Sequence, residues 1–236
     1  REDLPMADET VLFEVEDHVA TITLNRPESL NAMNRDLSAN LMAALRRVDE
    51  DPDIRVGVIT GNGRAFCAGA DLKERAASGG GGGAAGDTVA EFLNLRAENA
   101  FNTRTSSKPL LAAVNGIAFG GGMELSLSCE LRIASEGARF GLPEITRGFF
   151  PGGGGPQRLT RAIPQAMAME MILTGDPIDA QTALRVGLVS RVVPADQLLS
   201  EAKQLAGRIA SHAPLAVRAV KEVAMASPDM TLAQAL

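Results

Sequence analysis

Apolar and polar residues alternate over residues 10–16 and again over 19–24, with Asp17-His18 between the two runs. A period of two puts one face of each run inward and predicts an antiparallel hairpin, ended by Asn25-Arg26-Pro27. Over residues 35–50 the period becomes helical. Leu37, Leu41, Leu45 and Val48 recur on one face until Asp51-Pro52 stops the run. Residues 54–60 form a short apolar run of the kind buried on both faces of a sheet. Strand, helix and strand in this order predict a right-handed crossover unit.

The unit recurs. Residues 87–106 carry Val89, Phe92, Leu93, Leu95 and Phe101 and predict a helix, and 110–114 predict a second buried strand after Lys108-Pro109. Gly120-Gly121-Gly122 opens a helix reaching about Cys129, and residues 131–134 predict a third strand. Beyond Gly152 the texture turns helical over 157–161, 164–173, 180–186 and 195–211, with only 188–193 strand-like between them. A last helix starts near Pro214. A soft boundary near Pro194 divides an α/β catalytic core, 1–194, from a helical region, 195–236.

Composition narrows the function. The 236 residues correspond to about 1.6 domains, enough for one sizeable core. Lys+Arg 23 against Asp+Glu 29 gives a net charge of −6, which argues against a large nucleic-acid surface. No Trp or Tyr is present, so stacking platforms for single strands are nearly ruled out. Cys67 and Cys129 form no C-x-x-C pair and read as buried free thiols, and His18 and His212 alone make no His-rich metal centre. No apolar run approaches the roughly 18 residues of a membrane span. The expectation is a soluble, cytoplasmic protein with neither nucleic-acid nor membrane partners.

The glycine clusters differ in context. Residues 79–86 contain G-x-G-x-x-G at Gly81, Gly83 and Gly86, but helical composition precedes them, which argues against a dinucleotide fingerprint. That segment is expected to be a mobile loop near the acyl end of a pocket, or else a tolerated surface insertion. Gly120–Gly122, by contrast, sit between a buried strand and a helix, where open N–H groups attract anionic oxygen; a tight, closely packed turn explains them equally well. A second run of small residues, 61–72 (GNGRAFCAGADL), leaves the preceding strand. Two such loops at neighbouring strand ends can aim N–H groups at one point, the geometry of an oxyanion hole. No His lies near either loop and no G-x-S-x-G exists, but carboxylates do lie near. Glu124 follows Gly121 by three residues, and Glu144 follows Pro143. Paired acids beside such a hole suit proton transfer next to a carbonyl. Singly, Glu124 complements a helix dipole and Glu144 starts a helix.

At these residues the sequence resembles the enoyl-CoA hydratase/isomerase (crotonase) superfamily, from about Val11 to Leu236. The resemblance rests on Leu24–Pro27, Ala65–Leu72, Ala113–Gly116 with Gly120–Glu124, Phe140–Glu144, and Pro151-Gly152 through Gln157-Arg158-Leu159, with Leu173-Thr174-Gly175 beyond. It implies an α/β fold, a crotonase-type core of repeated ββα units with a helical C-terminal region that forms trimers or dimers of trimers. It further implies that the N–H groups of Ala70 and Gly121 form the oxyanion hole for a thioester carbonyl. Ala68, Asp71 and Leu72 would lie along the adenine and pantetheine path, with Gly120 beside the substrate and Arg26 a weaker candidate at the nucleotide end. Glu124 and Glu144 together resemble the acid pair of the hydratases. The implied substrate is an acyl-CoA, coenzyme A being part of the substrate, and neither metal nor other cofactor is implied.

Pro156 stands where the family often has Thr, Phe149-Phe150 is bulkier than usual, and the sequence ends at Leu236, short of the family's last helices, so 195–236 reads as a truncated oligomerisation region. The leading expectation is enoyl-CoA hydration. The alternatives are 3-enoyl-CoA isomerisation, a specialised dehydratase of the carnitinyl-CoA type, and a non-catalytic CoA-thioester or RNA-binding relative.

Overall fold

The two alternating runs pair in the predicted hairpin, β1 (Val11–Glu16) against β2 (Val19–Leu24), and Asp17 and His18 take the left-handed conformations that a tight turn requires. The computed structural model describes residues 10–77, 106–148 and 150–235. The segment 79–86 and, but for Ser106, the helix predicted over 87–106 lie outside them.

Helix α1 (Arg35–Glu50) is capped by the Asn34 side chain, which accepts from the Leu37 N–H, and it buries the predicted face of Leu37, Leu41, Leu45 and Val48. It leads into β3 (Val56–Gly61), which pairs parallel with β2. A large sheet runs in the order β1-β2-β3-β5-β7-β10, adding β5 (Leu110–Val114), β7 (Leu131–Ser135) and β10 (Arg191–Val193). Both of its faces are covered. Val19, Val56, Val58, Leu111, Ala113 and Ile133 meet Leu198, Ala202, Ala206 and Ala210 of α7 (Leu198–Ala210). The intervening positions Ala20, Ile22, Ile59, Ala112 and Val114 join α1 in the other cluster.

A second sheet, β4-β6-β8-β9, supplies the second strand of each ββα unit that the resemblance implies. Its strands are β4 (Ala65–Cys67), β6 (Ile117–Phe119), β8 (Arg139–Gly141) and β9 (Ile178–Asp179). The run 61–72, expected as a loop throughout, therefore contains a strand. Three parallel strands of the large sheet each hand the chain to a short strand of the small one: β3 to β4, β5 to β6, β7 to β8. After β4 and β6 come α2 (Leu72–Ala77) and α3 (Gly121–Leu127), which gives the ββα repeat. After β8 comes a 3-10 turn, Pro143–Arg147.

The remaining helices are α4 (Gly155–Ala162), α5 (Gln165–Thr174), α6 (Ala180–Arg185), α8 (Pro214–Ala226) and α9 (Leu232–Ala235). The apolar residues after Pro194 go to two destinations. Those of α7 complete the core, whereas α8 buries none of its residues, with Leu215 76% and Val220 70% exposed. Lys221 ties α8 down through an ion pair with Glu130 at 3.0 Å and a hydrogen bond to the Lys108 carbonyl. No helix among the described residues is long and apolar enough to cross a membrane.

Candidate active site

Parallel pairing of β4 with β6 and of β6 with β8 sets three carboxyl ends side by side. The chain leaves β4 through Ala68-Gly69-Ala70, leaves β6 through Gly120 into α3, and leaves β8 into the turn holding Glu144. The loops meet because their strands are neighbours.

Ala70 owes its orientation to Met33. The Met33 N–H donates to the Gly69 carbonyl at 2.7 Å, and the Asp71 N–H donates to the Met33 carbonyl at 3.0 Å. In a parallel bridge of this kind the flanked residue turns its own N–H and C=O to the opposite side. The Ala70 N–H is thus directed away from Met33. A Cβ built on Gly121 would lie only 4.0 Å from the Ala70 nitrogen. Gly121 is the first residue of α3, where a helix N–H has no partner within the helix. Among the described residues neither N–H has a protein acceptor.

The two predicted acids converge on the same place. Glu124 lies on the first turn of α3 and is buried; its Oε1 accepts from the Gly155 N–H at 3.0 Å. Gly153 packs so closely on this carboxylate that a Cβ there would collide with Oε2. Glu144 approaches from β8. A Cβ on Gly120, whose φ is +53°, would lie 2.9 Å from Glu144 Oε1, so glycine serves both the turn and the approach. Burial, reinforced by the charge of Glu124 and opposed by the Glu144 N–H and Arg147, pushes the Glu144 carboxyl up to about 7. Its Oε2 is buried without a hydrogen-bond partner.

The other predicted residues surround the first loop. The Ala68 N–H donates to Leu30 O at 3.0 Å, and Leu72 begins α2 with its side chain part exposed. Arg26 and Asp71 are joined to each other, Nη1 to Oδ2 at 3.0 Å, and Asp71 Oδ1 accepts from the N–H groups of Lys73 and Glu74. Sequence reasoning missed Met33, Gly153, Gly155 and Asn31. Asn31 is fully buried and left-handed; it accepts from the Arg26 N–H and donates to the carbonyls of Asn62 and Ala65. Its available signal was an Asn shortly after Pro27, a residue tolerant of positive φ.

Two N–H donors and two carboxyl groups on three neighbouring loops can polarise a carbonyl while protons move beside it. Nucleophilic attack by the nearby thiol is disfavoured, because burial pushes Cys67 up to about 12 and leaves it protonated. Among the described residues no three His, Cys, Asp or Glu side chains gather as metal ligands would.

Known proteins share this arrangement of the chain. Residues 14–236 match the family model described as enoyl-CoA hydratase/isomerase. A probable enoyl-CoA hydratase of Mycobacterium bovis is 46% identical over 98% of this chain and 87% of its own length. The 2,3-dehydroadipyl-CoA hydratase of Escherichia coli is 45% identical over 91% of this chain and 81% of its own. Among solved structures, an enoyl-CoA hydratase from Bacillus anthracis superposes with a TM-score of 0.86 at 40% identity, covering 96% of this chain and 86% of that one.

Proposed function

The chain belongs to the enoyl-CoA hydratase/isomerase family, and from that premise we propose that it adds water reversibly across the 2,3-double bond of an enoyl-CoA thioester. The observation that carries this reading is the convergence of Glu124 and Glu144 on the free N–H groups of Ala70 and Gly121. An isomerase needs one acid to carry a proton between carbons. Two acids, one of them holding its proton up to about pH 7, suit the separate delivery of a proton and a hydroxyl.

The thioester oxygen accepts from Ala70 and Gly121, which stabilise the enolate charge that grows as water attacks the β-carbon. Glu124, held by the Gly155 N–H, orients that water and takes its proton. Glu144 delivers a proton to the α-carbon. Ala68, Leu72 and Gly120 flank the approach of the thioester. The reaction calls for no metal or redox cofactor, since the donors and acids supply its charge stabilisation and proton transfer. Coenzyme A enters as part of the substrate.

The assembly we propose is a trimer, or a dimer of trimers, with the exposed apolar residues of α8 at subunit contacts. A cytoplasmic setting accords with two buried, unpaired cysteines. The assay that tests the reaction follows enone absorbance with crotonyl-CoA, longer and branched 2-enoyl-CoA thioesters, and 3-enoyl-CoA thioesters. Loss of the 2-enoyl absorbance, with formation of the 3-hydroxyacyl product, is expected. Conversion of 3-enoyl substrates alone would overturn the reading.

A further inference from the structure

Arg26 reaches two points on either side of the bridge that orients Ala70. Its Nη1 donates to the Ala32 carbonyl at 2.6 Å and to Asp71 Oδ2 at 3.0 Å. Ala32 immediately precedes Met33, and Asp71 immediately follows Ala70. The side chains are largely enclosed, 17% and 14% exposed. Burial alone would raise the Asp71 carboxyl. The hydrogen bond from Arg26, the Glu74 N–H and the Arg26 charge outweigh it and leave the group below its ordinary value. Asp71 Oδ1 also caps the start of α2. The Arg26 backbone takes part as well, its N–H donating to Asn31 Oδ1 at 2.8 Å and its carbonyl accepting from Asn31 N–H at 2.9 Å.

We propose that the Arg26–Asp71 pair is a positioning device that clasps segment 30–33 onto loop 68–71 and thereby aims the Ala70 N–H at the thioester oxygen. The inference rests on the hydratase reading. Both hydrogens of Arg26 Nη1 are committed to a neighbouring carboxylate and a carbonyl, so the guanidinium holds the two segments together and acts through Ala70 on the rate. Small errors in donor geometry reduce transition-state stabilisation steeply, because the donor must lie where charge develops.

The test compares wild type with Arg26→Met, Arg26→Lys and Asp71→Asn, using para-dimethylaminocinnamoyl-CoA, whose absorbance moves to longer wavelength as its carbonyl is polarised. Crotonyl-CoA kinetics and binding of coenzyme A are measured alongside. Expected for Arg26→Met and Asp71→Asn is a reduced red shift and a kcat lower by roughly 10- to 100-fold, with KM and coenzyme A affinity within about threefold of wild type. Arg26→Lys, which keeps one cationic donor for both acceptors, should restore most of the shift. The Asn variant keeps an oxygen to cap α2, so it separates loss of the ion pair from loss of the helix start. A wild-type red shift undiminished in Arg26→Met overturns the positioning role. So does a variant with weakened coenzyme A binding at unchanged kcat, which assigns Arg26 to the nucleotide. Absence of any red shift or hydration in wild type overturns the hydratase reading beneath it.

Discussion

Glu144 carries its carboxyl in surroundings that penalise charge, and two measurable consequences oppose each other. With its proton held up to about 7, it is a competent donor at neutral pH, and hydration should fall as pH rises through that value. A pH profile of kcat/KM for crotonyl-CoA hydration checks this, and a rate still flat at about pH 9 contradicts it. Stability moves with the same proton. Between the ordinary carboxyl value and about 7 the folded chain holds a proton that the unfolded chain releases, so stability declines as pH rises across that window. Glu144→Gln should therefore be more stable than wild type in denaturant melts at about pH 8, by roughly 3 kcal/mol, and lose that advantage near pH 4. The same variant should hydrate poorly. Glu124 and Glu144 were singled out because both carboxyls follow loops at strand ends, beside runs of small residues. Met33 and Asn31 were not, since they act through backbone geometry that no side-chain type announces.

At the scale of elements, the long periodic segments and the buried strands of the large sheet were readable, and the short strands β4 and β6 were not. The period of α1 matched its one buried face, and the alternation of β1 and β2 marked the hairpin strands although β2 is buried on both faces. The three-residue strands β4, β6 and β8 cannot display a period, yet they bring the loops of the candidate site together. The α7 stripe of Leu198, Ala202, Ala206 and Ala210 was likewise obscured, since three small residues at four-residue spacing look weakly apolar while letting the helix sit close on the sheet. The loop before α4 gives the clearest test at this scale. Gly153 leaves room for Glu124 and nothing larger, so Gly153→Ala must displace the carboxylate or shift the loop. Hydration should drop by at least about tenfold, on the general sensitivity of catalysis to misplaced groups, while circular dichroism and coenzyme A binding stay near wild type. Full activity in this variant would mean that Glu124 need not be held where it is.

Considered as a whole, the molecule ends its core at α7 and presents α8 with Leu215, Val220 and Val223 open to solvent. Three apolar side chains of that size on one helix are costly to leave wet unless a neighbour covers them. Light scattering at micromolar concentration should give a trimer or hexamer mass, and Val220→Glu should shift the population toward smaller species. A monomeric wild type would refute the assembly. The central claim, that two glutamates share one hydration, is tested most directly by a cycle of Glu124→Gln, Glu144→Gln and the double variant. Hydration of crotonyl-CoA and thioester affinity are measured in each. Because the acids act as a unit, each single change should remove most of the activity with binding retained, and the double variant should lose far less than the product of the two single losses. Wild-type hydration by either single variant would contradict the account.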